Sequence, residues 1–150
     1  MPHSFSNLLV HALFSTKDRV RSMDAELRSN LFPYMGGILR ELGATGRLIN
    51  GAADHVHILL NLPADLSVAE CMRVVKANSS RWVNETSARQ RGFAWQTGYA
   101  AFTVSASNED AVLRYIRDQE RHHRRISFQE EFVALLRKHR VPFDEKFLRG

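Results

Sequence analysis

Residues 54–63 read DHVHILLNLP. Side chains alternate across a β-strand, so residues i and i+2 stand side by side on one face. Val56, Ile58, Leu60 and Leu62 form one wholly apolar face, which reads as core. His55 and His57 project together from the other, followed by Leu59 and Asn61, and Pro63 closes the run. Two ring nitrogens on a rigid strand then aim at one point. Such a pair is half of a metal site, and it is equally a pair of hydrogen-bonded histidines on a half-exposed sheet face. The rest of the chain has to decide.

Upstream, Asn7 to Thr16 (NLLVHALFST) alternates as a first strand, with Leu8, Val10, Ala12 and Phe14 on one face and His11 on the other. KDRVRS follows as a charged turn. Between Met23 and Leu42 the apolar positions Leu27, Leu31, Met35, Ile38 and Leu42 keep helical spacing. Pro33 and Gly36-Gly37 predict a kink or looseness there, and Gly43 is placed to end the helix. Arg47 to Asn50 and Val56 to Leu62 read as two strands of a hairpin with GAAD as its loop.

Downstream, Ser67-Val68-Ala69-Glu70 matches a capping box and opens a second helix. Its apolar stripe is Val68, Cys71, Met72, Val75 and Trp82, and its polar side carries Arg73, Lys76, Ser80 and Arg81. Trp95 to Ser105 reads as a further strand, and Ser107 or Asn108 caps a third helix from about Glu109. A second capping box, Ser127 to Glu130, begins a C-terminal helix ending near His139. Strand, helix, strand, strand, helix, strand, helix and a helical tail make a ferredoxin-like α+β sandwich with an antiparallel sheet. With the first two helices on one face, the histidine face of the sheet is expected to be open.

The 150 residues suit a single domain, 1–150, able to bury roughly two-thirds of its unfolded surface. No apolar run is long enough to cross a bilayer, and MPHSFSNLL lacks the parts of a signal peptide. The lone Cys71 excludes an internal disulfide and fits a reducing compartment, so a cytoplasmic protein without membrane association is expected. The formal charge of +5 favours a polyanionic partner. Arg114 to Arg125 (RYIRDQERHHRR) concentrates it, with five arginines and two histidines.

That same segment changes the reading of the histidines. Tyr115 and Gln119 are four apart and share a helix face, with His122 one turn on. HVH at 55–57 together with YIRDQ at 115–119 resembles the HUH endonuclease superfamily. More narrowly, the chain resembles the single-tyrosine transposases of small bacterial insertion sequences, including their repeat-associated relatives. The likeness runs nearly end to end, through HALFSTKDR (11–19), DHVHILL (54–60), Lys76 to Arg81, WQTGYAAFTVS (95–105), YIRDQERHHRRISFQEEF (115–132) and FDEKFL (143–148). It departs at Val10 and Asp18, where aromatics are frequent, and at Ala77, where glycine is.

The resemblance implies that Tyr115 is a nucleophile and that His55, His57 and Gln119 coordinate a divalent cation, Mg2+ or Mn2+. It implies cleavage and rejoining of single-stranded DNA at imperfect hairpins by a homodimer, through a 5′-phosphotyrosine. The alternative is a domesticated protein that binds palindromic repeats without moving them. Lys17, Arg19, Arg73, Lys76, Arg81, Arg117, Arg121, Arg124 and Arg125 are candidate phosphate contacts. A zinc site is disfavoured because no fourth strong ligand stands at a useful spacing. Asp54 has the wrong strand parity for a general base beside the ligands, and His11 and His122 could each line the site, stand behind its ligands or lie at the surface.

Overall fold

The structure, a computed structural model, describes residues 4–123 and 125–148. Four strands, β1 (Leu8–Ser15), β2 (Thr45–Ala52), β3 (His55–Leu62) and β4 (Ala100–Thr103), form one antiparallel sheet in the order β2-β3-β1-β4. Helices α1 (Ala25–Glu41) and α2 (Val68–Thr86) make the two crossovers, each skipping one strand. This is the ferredoxin-like arrangement expected from the order of elements.

The apolar face of β3 does what its alternation requires. Val56, Ile58 and Leu60 pack with Val10, Ala12 and Phe14 of β1 against Leu31, Met35, Ile38 and Leu39 of α1 and Cys71, Met72 and Val75 of α2. Asp24 caps α1 by accepting from the Leu27 amide, and Ser67 caps α2 by accepting from that of Glu70. Helix α1 runs unbroken through Pro33 where a kink was expected. The carbonyl that Pro33 leaves without a donor belongs to Ser29, which is exposed, so the lost bond opens onto solvent rather than the core. At the helix end Gly43 takes φ +80°, which a side chain would resist.

The hairpin between β2 and β3 is tighter than the GAAD loop predicted. Ala52 still pairs with His55, so only Ala53 and Asp54 turn the chain. Gly51 makes this possible: a Cβ there would stand 2.1 Å from the carbonyl oxygen of His55. Conversely, the strand expected over Trp95 to Ser105 shrinks to Ala100–Thr103 plus one bridge between Thr16 and Trp95. Gln96 bonds the backbone of Ser15 through both its amide N–H and its side-chain oxygen, and Lys76 takes the carbonyl of Gly98 at 2.8 Å, which draws the intervening residues out of the ladder.

The histidine face is not open. Helices α3 (Glu109–Arg117), α4 (Gln119–His122) and α5 (Phe128–Lys138) roof it. Phe128, Leu135 and Leu136 of α5 form a second core with Leu13 of β1 and Ala100 and Phe102 of β4. The physical reason is that this face carries Leu13, Leu59, Ala100 and Phe102 besides the histidines, too much apolar surface to leave in water. Ser127 and Glu130 complete the reciprocal capping box that starts α5.

Candidate metal and tyrosine site

The site grows from two adjacent strands and three helices. In the register, Leu13 of β1 and Asn50 of β2 flank His57 on either side, while Ser15 and Ala52 flank His55. Both histidines are fully buried. The third helix, read from sequence as continuous, breaks at Asp118 (φ −94°, ψ 16°) into α3 and α4. Asn50 holds the break in place: its side-chain amide donates to the carbonyls of Ile116 at 3.0 Å and Arg117 at 3.2 Å. Across the break Gln119 keeps its place under Tyr115, donating to the Tyr115 carbonyl at 3.4 Å.

These elements bring His55, His57, Tyr115 and Gln119 together within one chain. Gln119 Oε1 lies 2.9 Å from His55 Nε2, and the Tyr115 ring stands 5.9 Å, centroid to centroid, from that of His57. A fifth residue, Glu131 of α5, was missed. Its Oε1 lies 3.1 Å from His57 Nε2, 2.8 Å from His123 Nε2 and 3.6 Å from His55 Nε2. Its Oε2 accepts from the Tyr115 hydroxyl and, at 3.0 Å, from Gln119 Nε2. A signal was present in the sequence: Glu131 falls in the apolar stripe of α5, with Phe128 three residues before and Leu135 four after. A carboxylate in that position must be paired inside the protein.

Asp54, judged to be on the wrong parity, reaches the site from the turn rather than the strand. Its Oδ1 accepts from His55 Nδ1 at 2.8 Å and so fixes that ring. His11 is buried beside His57, with its Nε2 2.8 Å from His57 Nδ1. His122 stands at the rim, its ring 5.4 Å from that of Tyr115.

The donor set fits a cation. His55 turns Nδ1 toward Asp54 and Nε2 toward two oxygen atoms, Gln119 Oε1 at 2.9 Å and Glu131 Oε1 at 3.6 Å. Ligand atoms of His55, His57 and Glu131 all lie within 4.8 Å of one another, a set of imidazoles and a carboxylate suited to a divalent ion. Sequence spacing offered no fourth strong ligand; Glu131 adds a carboxylate to the set from a helix distant in the chain.

Electrostatics follow from burial and from this carboxylate. Burial works to raise the Glu131 pKa, but the hydrogen bonds from His123 and His57 outweigh it and hold the acid far below the usual carboxylate range. Burial, reinforced by the Glu131 charge, pushes the Tyr115 phenol well above its ordinary value. Burial lowers His57 to about 4 and His11 to about 3, so both rings are neutral at pH 7.

A family model described as "Transposase IS200 like" matches residues 4–119. The chain belongs to the IS200-like transposase family. It is 31% identical over 129 residues to the transposases for insertion sequence element IS200 of Salmonella typhimurium and Salmonella typhi, covering 79% of this chain and 81% of each relative. Among solved structures, a candidate transposase from Deinococcus radiodurans superposes with a TM-score of 0.66 at 21% identity, over 78% of this chain and 94% of that one. A REP-associated tyrosine transposase bound to a REP hairpin superposes with a TM-score of 0.62 at 12% identity, over 81% and 71%. These two share the fold. In this transposase no helix among the described residues is long and apolar enough to cross a membrane.

The basic residues singled out from sequence divide into two groups. Lys17, Arg117, Arg121 and Arg125 are exposed, with no polar side-chain partner among the described residues. Arg73 pairs with Glu70 at 2.6 Å, Arg81 with Asn78 at 3.0 Å, and Lys76 is held on the Gly98 carbonyl over the ring of Phe14. Arg19 ties the turn after β1 to α5 and the chain end, through Gln129 at 3.0 Å and the Leu148 carbonyl at 2.5 Å. Arg124 lies outside the described residues. Arg73 and Lys76 line a recess of about 420 Å3 with Tyr99, between α2 and residues 94–99. Lys17 shares another, of about 330 Å3, with Arg89 and Arg91, which sequence reading did not single out.

Proposed function

We propose that this transposase, acting as one domain over residues 1–150, cleaves and rejoins single-stranded DNA at hairpin-bearing element ends through a 5′-phosphotyrosine on Tyr115. The observation that carries the reading is the convergence of the Tyr115 hydroxyl, His57 and Gln119 on the single carboxylate of Glu131. His55, His57, Glu131 and Gln119 would hold one divalent ion, Mg2+ or Mn2+. When bound, that ion polarises the phosphate and offsets its negative charge.

The chain's own groups do the rest. Tyr115 Oη attacks the phosphorus, forming the O–P bond as the bond to the 3′ oxygen breaks and leaves a free 3′ hydroxyl. Glu131 Oε2 already accepts the phenol's hydrogen bond and so aims Tyr115 Oη. The phenol's proton ends on the leaving oxygen. Asp54 keeps the His55 ring aligned throughout. Because the new ester retains the energy of the old, a strand's 3′ hydroxyl can reverse the step without ATP.

Lys17, Arg117, Arg121, Arg125 and the recess with Arg73 and Lys76 supply phosphate contacts in this proposal, on a chain with pI near 9.9. The homodimer is part of the proposal too, its task being to hold two DNA ends together, since Tyr115 already meets His57 of its own chain. The protein works in the cytoplasm, where the host DNA lies.

The test is an SDS-stable adduct. Wild type mixed with single-stranded hairpin DNA and Mn2+ should form it, and Tyr115→Phe should abolish it while hairpin binding persists. An adduct that survives in Tyr115→Phe assigns the nucleophile elsewhere. Wild type that binds the hairpin but forms no adduct under Mg2+ or Mn2+ supports the domesticated, repeat-binding alternative.

A further inference from the structure

His11 is a buried histidine that the chemistry proposed above does not use. It sits on β1 across from Leu59, two pairs along from Leu13, which faces His57, and its Nε2 is 2.8 Å from His57 Nδ1. The two rings are stacked at 5.0 Å. Two nitrogens at that distance hold one proton between them, so one ring donates and the other accepts. Which does which is set at the far side of His57. There Glu131 Oε1, at 3.1 Å, accepts Nε2–H. His57 Nδ1 is then a bare lone pair, and the shared proton belongs to His11.

A cation on His57 requires the opposite. The ligand would be the Nε2 lone pair, so the Nε2 proton of His57 leaves to solvent. His11 passes the shared proton to His57 Nδ1 and takes another from solvent, and His11 Nε2 becomes the acceptor. His11 then carries its own proton on Nδ1. No protein group among the described residues bonds that nitrogen, and every buried polar side-chain atom among them has a partner. His11 Nδ1 therefore meets solvent, at a cavity of about 220 Å3 that His11 lines with Val104, Val112, Tyr115, Lys138 and His139. Each ring keeps one proton in both states, and only the positions change.

We infer that His11 is a positioning residue: it sets the tautomer of His57, giving a proton to Nδ1 when the cation loads and accepting from Nδ1 while it stays. A buried apolar neighbour in its place would leave His57 Nδ1–H without an acceptor exactly when Nε2 is a ligand. Partners of this kind are worth on the order of 10–100-fold in metal affinity.

The inference rests on the cation reading above and is tested without DNA. Mn2+ affinity is measured by titration calorimetry for wild type, His11→Phe and His11→Gln. Histidine 15N shifts, with and without saturating Mg2+, report the His57 tautomer. Wild-type His57 should change from Nε2–H to Nδ1–H on loading. His11→Phe should bind Mn2+ at least tenfold more weakly, and His11→Gln, whose amide oxygen can accept from Nδ1–H, should stay within about threefold of wild type. If His11→Phe does not fold, the glutamine variant and the wild-type tautomer decide.

Unchanged affinity in folded His11→Phe overturns the inference, as does an equal loss in His11→Gln or a His57 tautomer indifferent to loading. Wild type that binds neither ion defeats the cation reading itself, and this inference with it.

Discussion

The hydroxyl of Tyr115 in α3 donates to Glu131 in α5, sixteen residues further along the chain. The same carboxylate takes hydrogen bonds from His57, His123 and Gln119 and is almost wholly buried. Phenol and candidate cation site are thus joined through one side chain. As found, the negative charge of Glu131 disfavours a phenolate, which is why the Tyr115 pKa is raised. In the proposed chemistry, a cation that took up that charge would relieve the effect and so couple occupancy to activation of the phenol.

Removing Glu131 should therefore cost both stability and binding. Glu131→Ala leaves four polar partners without an acceptor in a dry interior, a loss of about 3–5 kcal/mol. Glu131→Gln keeps the shape but not the charge and should lose less. Urea unfolding of both variants checks the order, and Mn2+ affinity should fall in each.

Stability should decrease on acidification below pH 6.5. His11 and His57 have folded pKa values of about 3 and about 4, beneath their unfolded value of 6.5. Between those limits the unfolded chain binds more protons, and stability rises with pH. Two such groups give a slope of roughly 2.7 kcal/mol per pH unit at its steepest. Glu131 and Asp54, both depressed, extend the loss below pH 4.5. Urea midpoints at pH 7 and pH 5 measure it, and equal midpoints would refute a buried neutral histidine pair.

Asn50→Ala tests what holds the tyrosine helix. Its two bonds to the end of α3 would be lost, for a destabilisation of about 1–2 kcal/mol. Adduct formation should slow while hairpin affinity stays level, because Asn50 bonds only main-chain carbonyls of the Tyr115 segment, that of Arg117 included, and no guanidinium group. An unchanged rate would show that α3 is held by packing alone.

Gly51→Ala should destabilise the hairpin that presents His55, since its Cβ would collide with the His55 carbonyl. Thermal unfolding should fall by several degrees. Gly37→Ala, where a Cβ meets nothing within 4 Å, is the control and should hold or gain stability.

Arg121→Ala tests the exposed cations. Loss of one phosphate contact lowers hairpin affinity across sequences and reduces the slope of log K against log salt by about one. An affinity drop with an unaltered slope would mean that Arg121 contacts no phosphate.

Period-two alternation in 55–62 and helical spacing in 25–41 are local properties, and burial enforces them, so strand, helix and core face were legible in the residues themselves. The capping residues Ser67 and Ser127 were legible for the same reason, each bonding an amide three positions on. The HVH and YIRDQ motifs marked four residues that do come together. Tertiary structure alone decided the rest. Glu131 meets His57 across 74 residues of chain, and Asn50 stops α3 across 66. Asp54 serves His55 from a turn, where strand parity has no meaning. Those contacts depend on how α5 settles over the sheet's second face, and it settles there to bury Phe128, Leu135 and Leu136 against Leu13 and Phe102. Local pattern specifies which face of an element is apolar; only packing specifies which distant carboxylate that face carries inward.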